Sequence, residues 1–336
     1  MANWGIIGTG RIAGKFAGAV AVSSSERIVA AASRDPVKAA AFAEQYGIPR
    51  SYGSYAELLA DPDLSCIYLA LPNALHAEWS IKAAEAGKHV LCEKPLAVSA
   101  AEAETMYAAA RTNGVWLMEA FMYRFHPQTL KLQELLVSGV IGTVKQVRAS
   151  FSFLVRDGAN NVRLSAELAG GALMDVGCYC VNAARLAVGE RPRRAFAAAQ
   201  LAFSGVDSTL MGTLEYPSGA IAQIACSLES ARHHQLQVVG DDGIIEVDAV
   251  FTIPADRPTT IRLVRGAAQD AVESITIAPV EHFRLEAEGF AALVSAGHGD
   301  HGLPEMPLIE TLDNLATIEA LLQSAAEGRV VSVNQG

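Results

Sequence analysis

Two stretches of this 336-residue chain combine residue types and spacing that could do chemistry. The first is GIIGTGRIAGKF, residues 5–16. Gly8, Gly10 and Ala13 fit the spacing G-x-G-x-x-G/A. The first glycine of that spacing permits a tight turn, the second lets the backbone approach a pyrophosphate, and the third small residue allows close helix–strand packing. The amides of a helix opening at Arg11 and Ile12, together with its dipole, would then face phosphates. The second stretch is LCEKPLAV, residues 91–98. His89-Val90-Leu91-Cys92 reads as a short buried strand, and Glu93, Lys94 and the rigid Pro95 follow at its mouth. A lysine on the carboxyl edge of a sheet can reach both a cofactor ribose and a bound hydroxyl, and a proline fixes the backbone that carries it.

These residues need a scaffold, and the first third of the chain supplies one. Apolar strands are predicted at 3–8, 27–33, 65–72, 88–93 and 115–120. Helical spacing is predicted at 11–22, 35–46, 74–86 and 99–113, with Asp35 as N-cap and Gly47 as C-terminal stop of the second helix. Strands joined by helices of about a dozen residues mean βαβ units and a parallel sheet. Ligands of such sheets bind at the carboxyl ends of the strands. Ser33 and Arg34 close the second strand, where an NAD-preferring site carries an acidic residue for the ribose 2′-OH. A hydroxyl and a guanidinium suit a 2′-phosphate instead. NADP(H) is therefore preferred, with NAD(H) possible if Asp35 turns back to the ribose and Arg34 is only solvated. Leu71, Pro72 and Asn73 end the third strand, beside the expected nicotinamide, on the same edge as Glu93 and Lys94. His76 follows, either beside the cofactor or as a helix-start histidine with no catalytic task.

Beyond residue 122 the pattern changes. Apolar and polar residues alternate in 143–153, 208–216, 220–229, 235–240 and 259–265, the mark of an antiparallel sheet with one covered face. Helices are predicted at 127–138, 282–296 and 308–327. The expected organisation is a dinucleotide-binding domain over 1–122 and an α/β substrate-binding and oligomerisation domain over 123–336. The second face of the sheet has no helix in sequence to cover it, so a homodimer or homotetramer through that face is expected.

Composition narrows the function classes. The net charge of −10 argues against non-specific binding to nucleic acid or anionic membrane. No apolar run reaches the roughly 18 residues of a membrane span. The five cysteines form no CxxC pair and fit buried, reduced thiols. Together with an N-terminus lacking a basic-then-apolar leader pattern, this gives a cytoplasmic expectation. Cys178-x-Cys180 and His233-His234 stand apart from other ligand types, so no metal site is expected.

GIIGTGRIA, EKP at 93–95 and GGALMDVGCYCVN at 170–182 together resemble the Gfo/Idh/MocA oxidoreductase family. MEAFMYRFHP (118–127) and DVGCYC are most similar to its branch of NADP-dependent sugar dehydrogenases, dimeric dihydrodiol dehydrogenases and glucose–fructose oxidoreductase. The resemblance spans the whole chain. It implies an α/β Rossmann domain plus an α+β domain with a large, mostly antiparallel open-faced sheet, whose outer face often builds a dimer or tetramer. It also implies that the lysine of EKP and the Asp and Tyr of D-x-G-x-Y, here Lys94, Asp175 and Tyr179, form the catalytic group. Inositol dehydrogenase-type members carry histidine where this chain has Tyr179, which argues against that substrate.

The spacing agrees with those roles. Asp175 and Tyr179 are four apart, on one face if that segment is helical. A phenol ordinarily titrates near 10, and a neighbouring lysine cation favours the phenolate. Arg163 precedes this segment and is placed to line the same cleft. Tyr123, Arg124 and His126 follow the fifth strand, to contact sugar hydroxyls or to secure the domain junction. The reading is an NADP-dependent dehydrogenase or reductase acting on a CH–OH group of a sugar or cyclic polyol, with Tyr179 as acid–base assisted by Lys94. Its alternatives are a trans-dihydrodiol dehydrogenase and, from another class, a non-catalytic NAD(P)-binding sensor.

Overall fold

The computed structural model describes residues 2–156, 161–266, 271–297 and 304–334. The chain begins with β1 (Ala2–Ile7), α1 (Arg11–Val20), β2 (Glu26–Ala32), α2 (Pro36–Tyr46), β3 (Arg50–Tyr52) and α3 (Tyr55–Leu59). It continues through β4 (Cys66–Leu69), α4 (His76–Glu85), β5 (His89–Glu93), α5 (Ala100–Thr112) and β6 (Leu117–Ala120). The strands pair in parallel in the order β3-β2-β1-β4-β5-β6. From β1 the sheet grows one way through β2 and the other way through β4, so a switch point lies at their carboxyl ends. The central strands are mainly apolar because both faces are covered: Ile6, Ile7, Ala30, Ala31, Ile67, Leu69, Val90 and Leu91 are fully buried. Phe16 of α1 stacks on Tyr68 of β4 at 3.8 Å, which seats the first helix against the sheet. Asp35 caps α2, and Gly47 ends it in the left-handed conformation at φ +64°.

The next elements are α6 (Pro127–Val137), β7 (Val144–Leu154) and α7 (Cys178–Val188), the last entered through a π-helical turn at Leu173–Gly177. Then follow β8 (Arg194–Leu201), β9 (Asp207–Glu215), β10 (Ile221–Ser227), β11 (Glu229–Gly240), β12 (Gly243–Asp248), β13 (Thr259–Arg265) and β14 (Ala271–Ile277). Helices α8 (His282–Ala296) and α9 (Leu308–Glu327) and the short β15 (Val331–Ser332) close the chain. The second sheet runs β14-β13-β12-β11-β7-β10-β9-β8-β15. It is antiparallel except where β10 lies parallel to β7. Strands β9 and β10 bury alternate residues, as period-2 patterning requires. On the other face of the sheet Phe196 of β8, Met211 of β9 and Ile221 of β10 are 44%, 63% and 47% exposed.

The contacts divide the chain into Met1–Phe125 with Glu281–Thr311, and His126–Val280 with Leu312–Gly336. The part of the second expected domain at 281–311 therefore packs with the first unit. The reason is the apolar face of α8: Phe290 is buried and its ring lies 5.7 Å from that of Trp4. The Ser23 hydroxyl adds a bond to Glu288 at 2.7 Å.

Candidate active site

In the first unit the expected residues gather on the carboxyl edge of the parallel sheet. Gly8 follows β1 at φ +98°, and its amide bonds Ala32 O at 3.0 Å. A Cβ on Gly8 would lie 2.4 Å from Ala70 O, so only glycine lets the ends of β1 and β4 come this close. Gly10 is the N-cap of α1 and makes no side-chain cap bond. A Cβ there would meet nothing within 4 Å, so open space stands before the first turn of α1. The amides of that turn are left for a ligand, and Ala13 is fully buried beneath them. This cradle fits a dinucleotide pyrophosphate.

At the end of β2, the buried Ser33 accepts through its hydroxyl from Asp35 N at 3.3 Å. Asp35 Oδ1 accepts from Val37 N and Lys38 N at 3.0 and 3.3 Å. The Asp35 carboxylate is thus committed to its helix, while Arg34 is exposed. Beyond β4, Pro72 precedes a 3-10 turn at Asn73–Leu75. His76 is fully buried, with Nδ1 2.9 Å from Pro95 O and Nε2 2.9 Å from Leu71 O. A neutral imidazole donates from one nitrogen only. Burial, and secondarily the Lys94 charge, lower the His76 pKa. His76 therefore stands between the loop after β4 and the loop after β5, with one N–H to donate to either carbonyl.

Lys94 is joined to Pro95 by a cis peptide. The preceding Glu93 is buried and accepts from the Tyr68 hydroxyl. Glu286 of α8 is fully buried too, and burial and Glu93 raise its pKa well above the ordinary carboxyl value. Arg124 and Tyr123 are 5% and 1% exposed. The Arg124 guanidinium pairs with Glu310 at 2.7 Å and donates to Glu305 O at 3.1 Å. Its charge is thus met inside its own unit, and Tyr123 packs edge-on against Phe121.

In the second unit Arg163, Asp175 and Tyr179 come together around the entry to α7. The segment is helical but not a regular α-helix: Asp175 lies in the π-helical turn and Tyr179 in the first α-turn after it. Such one-turn widenings are frequent at functional sites. Two small residues allow this path. Gly171 has φ +119°, and a Cβ there would lie 2.2 Å from Asp207 Oδ1. Gly177 has no room either, with Leu173 Cδ1 at 2.7 Å and Cys226 Sγ at 2.8 Å from its ideal Cβ. Asp207 caps the turn by accepting from Leu173 N at 2.6 Å, and burial pushes its pKa up to about 6. Arg163 Nε donates to Asp175 Oδ2 at 2.7 Å. The Arg163 Cζ also stands 5.8 Å above the Phe153 ring. Tyr179 is 4% exposed, with Phe151 edge-on at 5.5 Å and Phe251 tilted at 5.4 Å. His126 caps α6 by accepting from Gln128 N at 3.0 Å, and burial lowers its pKa to about 4.

Three contributors escaped the sequence reading. Glu119 is a carboxylate inside the buried strand LMEA, a mismatch visible in sequence. Asp207 heads a strand and looks like an ordinary turn acid. Phe251 lies outside regular structure and gave no periodic signal. Among the described residues, no group of three His, Cys, Asp or Glu is placed to hold a metal ion. No described helix is long and apolar enough to cross a membrane. The five cysteines are buried, and none is joined in a disulfide.

Comparison with known proteins adds independent findings. Residues 2–121 match the model of the GFO_IDH_MocA oxidoreductase family with an NAD-binding Rossmann fold. Residues 129–246 match that of a GFO/IDH/MocA C-terminal domain. The chain is 40% identical to a D-xylose 1-dehydrogenase (NADP(+)) of Haloferax volcanii, over 98% of this chain and 99% of the relative. It is 35% identical to a trans-1,2-dihydrobenzene-1,2-diol dehydrogenase of Xenopus laevis, covering 96% and 97%. Among solved structures it is similar to a 3-ketoreductase from Actinomadura kijaniata crystallised with NADP and TDP-benzene. The TM-score is 0.88 at 30% identity, with 96% and 97% of the two chains covered.

Proposed function

Because the chain belongs to the Gfo/Idh/MocA oxidoreductase family, we propose that it is an NADP-dependent dehydrogenase or reductase acting on a CH–OH carbon of a sugar or cyclic polyol. The observation that carries the reading is the Arg163–Asp175 pair fixed one turn before the buried Tyr179. A pinned carboxylate beside a phenol is suited to hold a hydroxyl and exchange its proton. The nicotinamide supplies the hydride chemistry when bound.

In this proposal Tyr179 carries the proton, Lys94 favours its phenolate and orients substrate and ribose, and Asp175 grips a substrate hydroxyl. Gly8, Gly10, Arg11 and Ile12 hold the pyrophosphate, and Ser33 and Arg34 the 2′-phosphate. Leu71, Pro72, Asn73, His76 and Glu93 shape the nicotinamide end. NADP is favoured over NAD because the Asp35 carboxylate caps α2 while Arg34 is exposed. The exposed apolar face of β8–β10 is proposed as the subunit interface, and the buried, unbridged cysteines support a cytoplasmic location. The aromatic packing of Phe151 and Phe251 about Tyr179 favours a second reading, a dihydrodiol dehydrogenase working on a flatter ring. Incubating purified protein with NADP and a panel of aldoses, with trans-dihydrodiols alongside, tests both through the absorbance of NADPH. Turnover of aldoses supports the first, turnover of dihydrodiols alone the second, and no turnover of either refutes both.

A further inference from the structure

Glu119 is a charged residue at 1% exposure near the end of β6, where burial of a carboxylate is costly unless partners hold it. It has such partners. β6 pairs with β5 in a register that sets Glu119 beside Cys92 and Ala120 beside Glu93. Glu119 Oε1 accepts from Leu96 N at 3.0 Å, and Oε2 accepts from Thr311 Oγ1 at 2.8 Å. Leu96 lies two residues past Lys94, so the carboxylate anchors the backbone that carries the lysine.

The surrounding charges come from several elements. Lys94 and Arg124 favour the Glu119 anion, as do the Thr311 and Leu96 bonds. Cys92 of β5 and Tyr107 of α5 are pushed upward by burial, and Glu119 adds to that. They stay neutral, leaving Lys94 and Arg124 as the cations acting on this carboxylate. Arg124 already has Glu310. The remaining electrostatic partner along the β5 edge is Lys94.

We propose that Glu119 is a positioning residue for Lys94, fixing the 94–96 backbone and supplying the buried negative charge that the lysine meets. The inference rests on the reading of Lys94 as part of the catalytic group. Burial pushes Glu119 up to about 7, the largest of the influences on it, so its charge changes within the physiological range. Below that pH the carboxyl is neutral and Lys94 loses this negative neighbour.

Two variants separate charge from shape. Glu119→Gln keeps a carbonyl for Leu96 N, removes the charge, and turns the Thr311 bond round so that the amide donates to Thr311 Oγ1. Thr311→Val removes one donor to the carboxylate, which should raise the pH at which Glu119 ionises. In wild type, kcat should fall as pH drops through about 7. Thr311→Val should move that limb to higher pH, and Glu119→Gln should abolish it and hold kcat near the low-pH level of the wild type. NADP affinity should be little changed in both. Glu119→Ala should lose about 10²-fold in kcat through misplacement of the lysine.

A readout without turnover keeps this separable from the enzyme assignment. Infrared titration of the cofactor-free protein should show, among the bands of its buried carboxyls, a Glu119 band that fades as pH rises through about 7. The band should be missing in Glu119→Gln and should persist to higher pH in Lys94→Met. A band that Lys94→Met leaves in place, or a kcat limb that survives in Glu119→Gln, would overturn the proposal. Absence of turnover with an intact infrared response would instead fault the enzyme reading alone.

Discussion

Arg163 Nε lies 2.7 Å from Asp175 Oδ2, across a turn widened by one residue. The pair decides where the carboxylate points four residues before Tyr179. Arg163 is about one-third exposed, so its worth is orientation more than stability. Arg163→Ala should leave the melting temperature nearly unchanged and cut kcat/KM by up to about 10²-fold. Arg163→Lys should recover only part of the loss, because the lysine offers a point charge in place of a planar fork. Steady-state kinetics on the two variants checks this, and equal activity in Arg163→Ala would remove Arg163 from the site.

Cofactor choice turns on Arg34. Arg34→Asp would set a carboxylate against the 2′-phosphate, so NADP affinity should fall steeply and NAD affinity much less. Fluorescence titration with both nucleotides measures the ratio. An unchanged ratio would refute the role given to Arg34.

Asp207 predicts a pH dependence of stability. Its folded pKa is raised to about 6 from an ordinary value of 3.8, by burial first. The folded protein therefore holds this proton more tightly than the unfolded chain. Stability falls as pH rises from about 4 to about 6, and the penalty, on the order of 2–3 kcal/mol, is complete above that. Asp207→Asn can still accept from Leu173 N and has no charge to bury. Urea midpoints at about pH 4 and about pH 7, the two ends of the shift, should differ less in Asp207→Asn than in wild type.

The open face of the second sheet makes a prediction about assembly. Met211 is 63% exposed in the middle of β9, between Ala198 of β8 and Ala225 of β10. A charge there should disfavour burial against another subunit. Light scattering should give a multimeric mass for wild type and a smaller one for Met211→Arg. A monomeric wild type at all concentrations would refute the interface.

Much of this was legible in the sequence because local rules and the fold agree. Gly8, Gly10 and Ala13 announced a turn that the φ of Gly8 and the open space at Gly10 now explain. Asp35 and Gly47 marked both ends of α2 correctly. Strand β8, RAFAAAQL, was missed because alanine has little strand preference and only pairing to β9 makes it one. The three residues of β3 were too short for any periodicity. The π-helical turn was illegible because Gly171, Gly177 and Asp207 act on it through contacts distant in sequence. Likewise nothing local tells that α8 packs beside Trp4, more than 270 residues away.

Lys94 and Tyr179 should act as a unit if the first favours the phenolate of the second. Lys94→Ala should lower kcat and move the rise in activity to higher pH. The double variant should be little worse than the poorer single one.

The most direct test is kcat of Tyr179→Phe with NADP and the best aldose of the panel, with NADP affinity measured on the same sample. Phenylalanine keeps the packing on Phe151 and Phe251 and removes only the hydroxyl. Loss of a general acid–base costs about 10²–10⁴-fold, so kcat should fall by that order while NADP affinity holds. Turnover near wild type would contradict the account, because the proton would then travel through some group other than Tyr179.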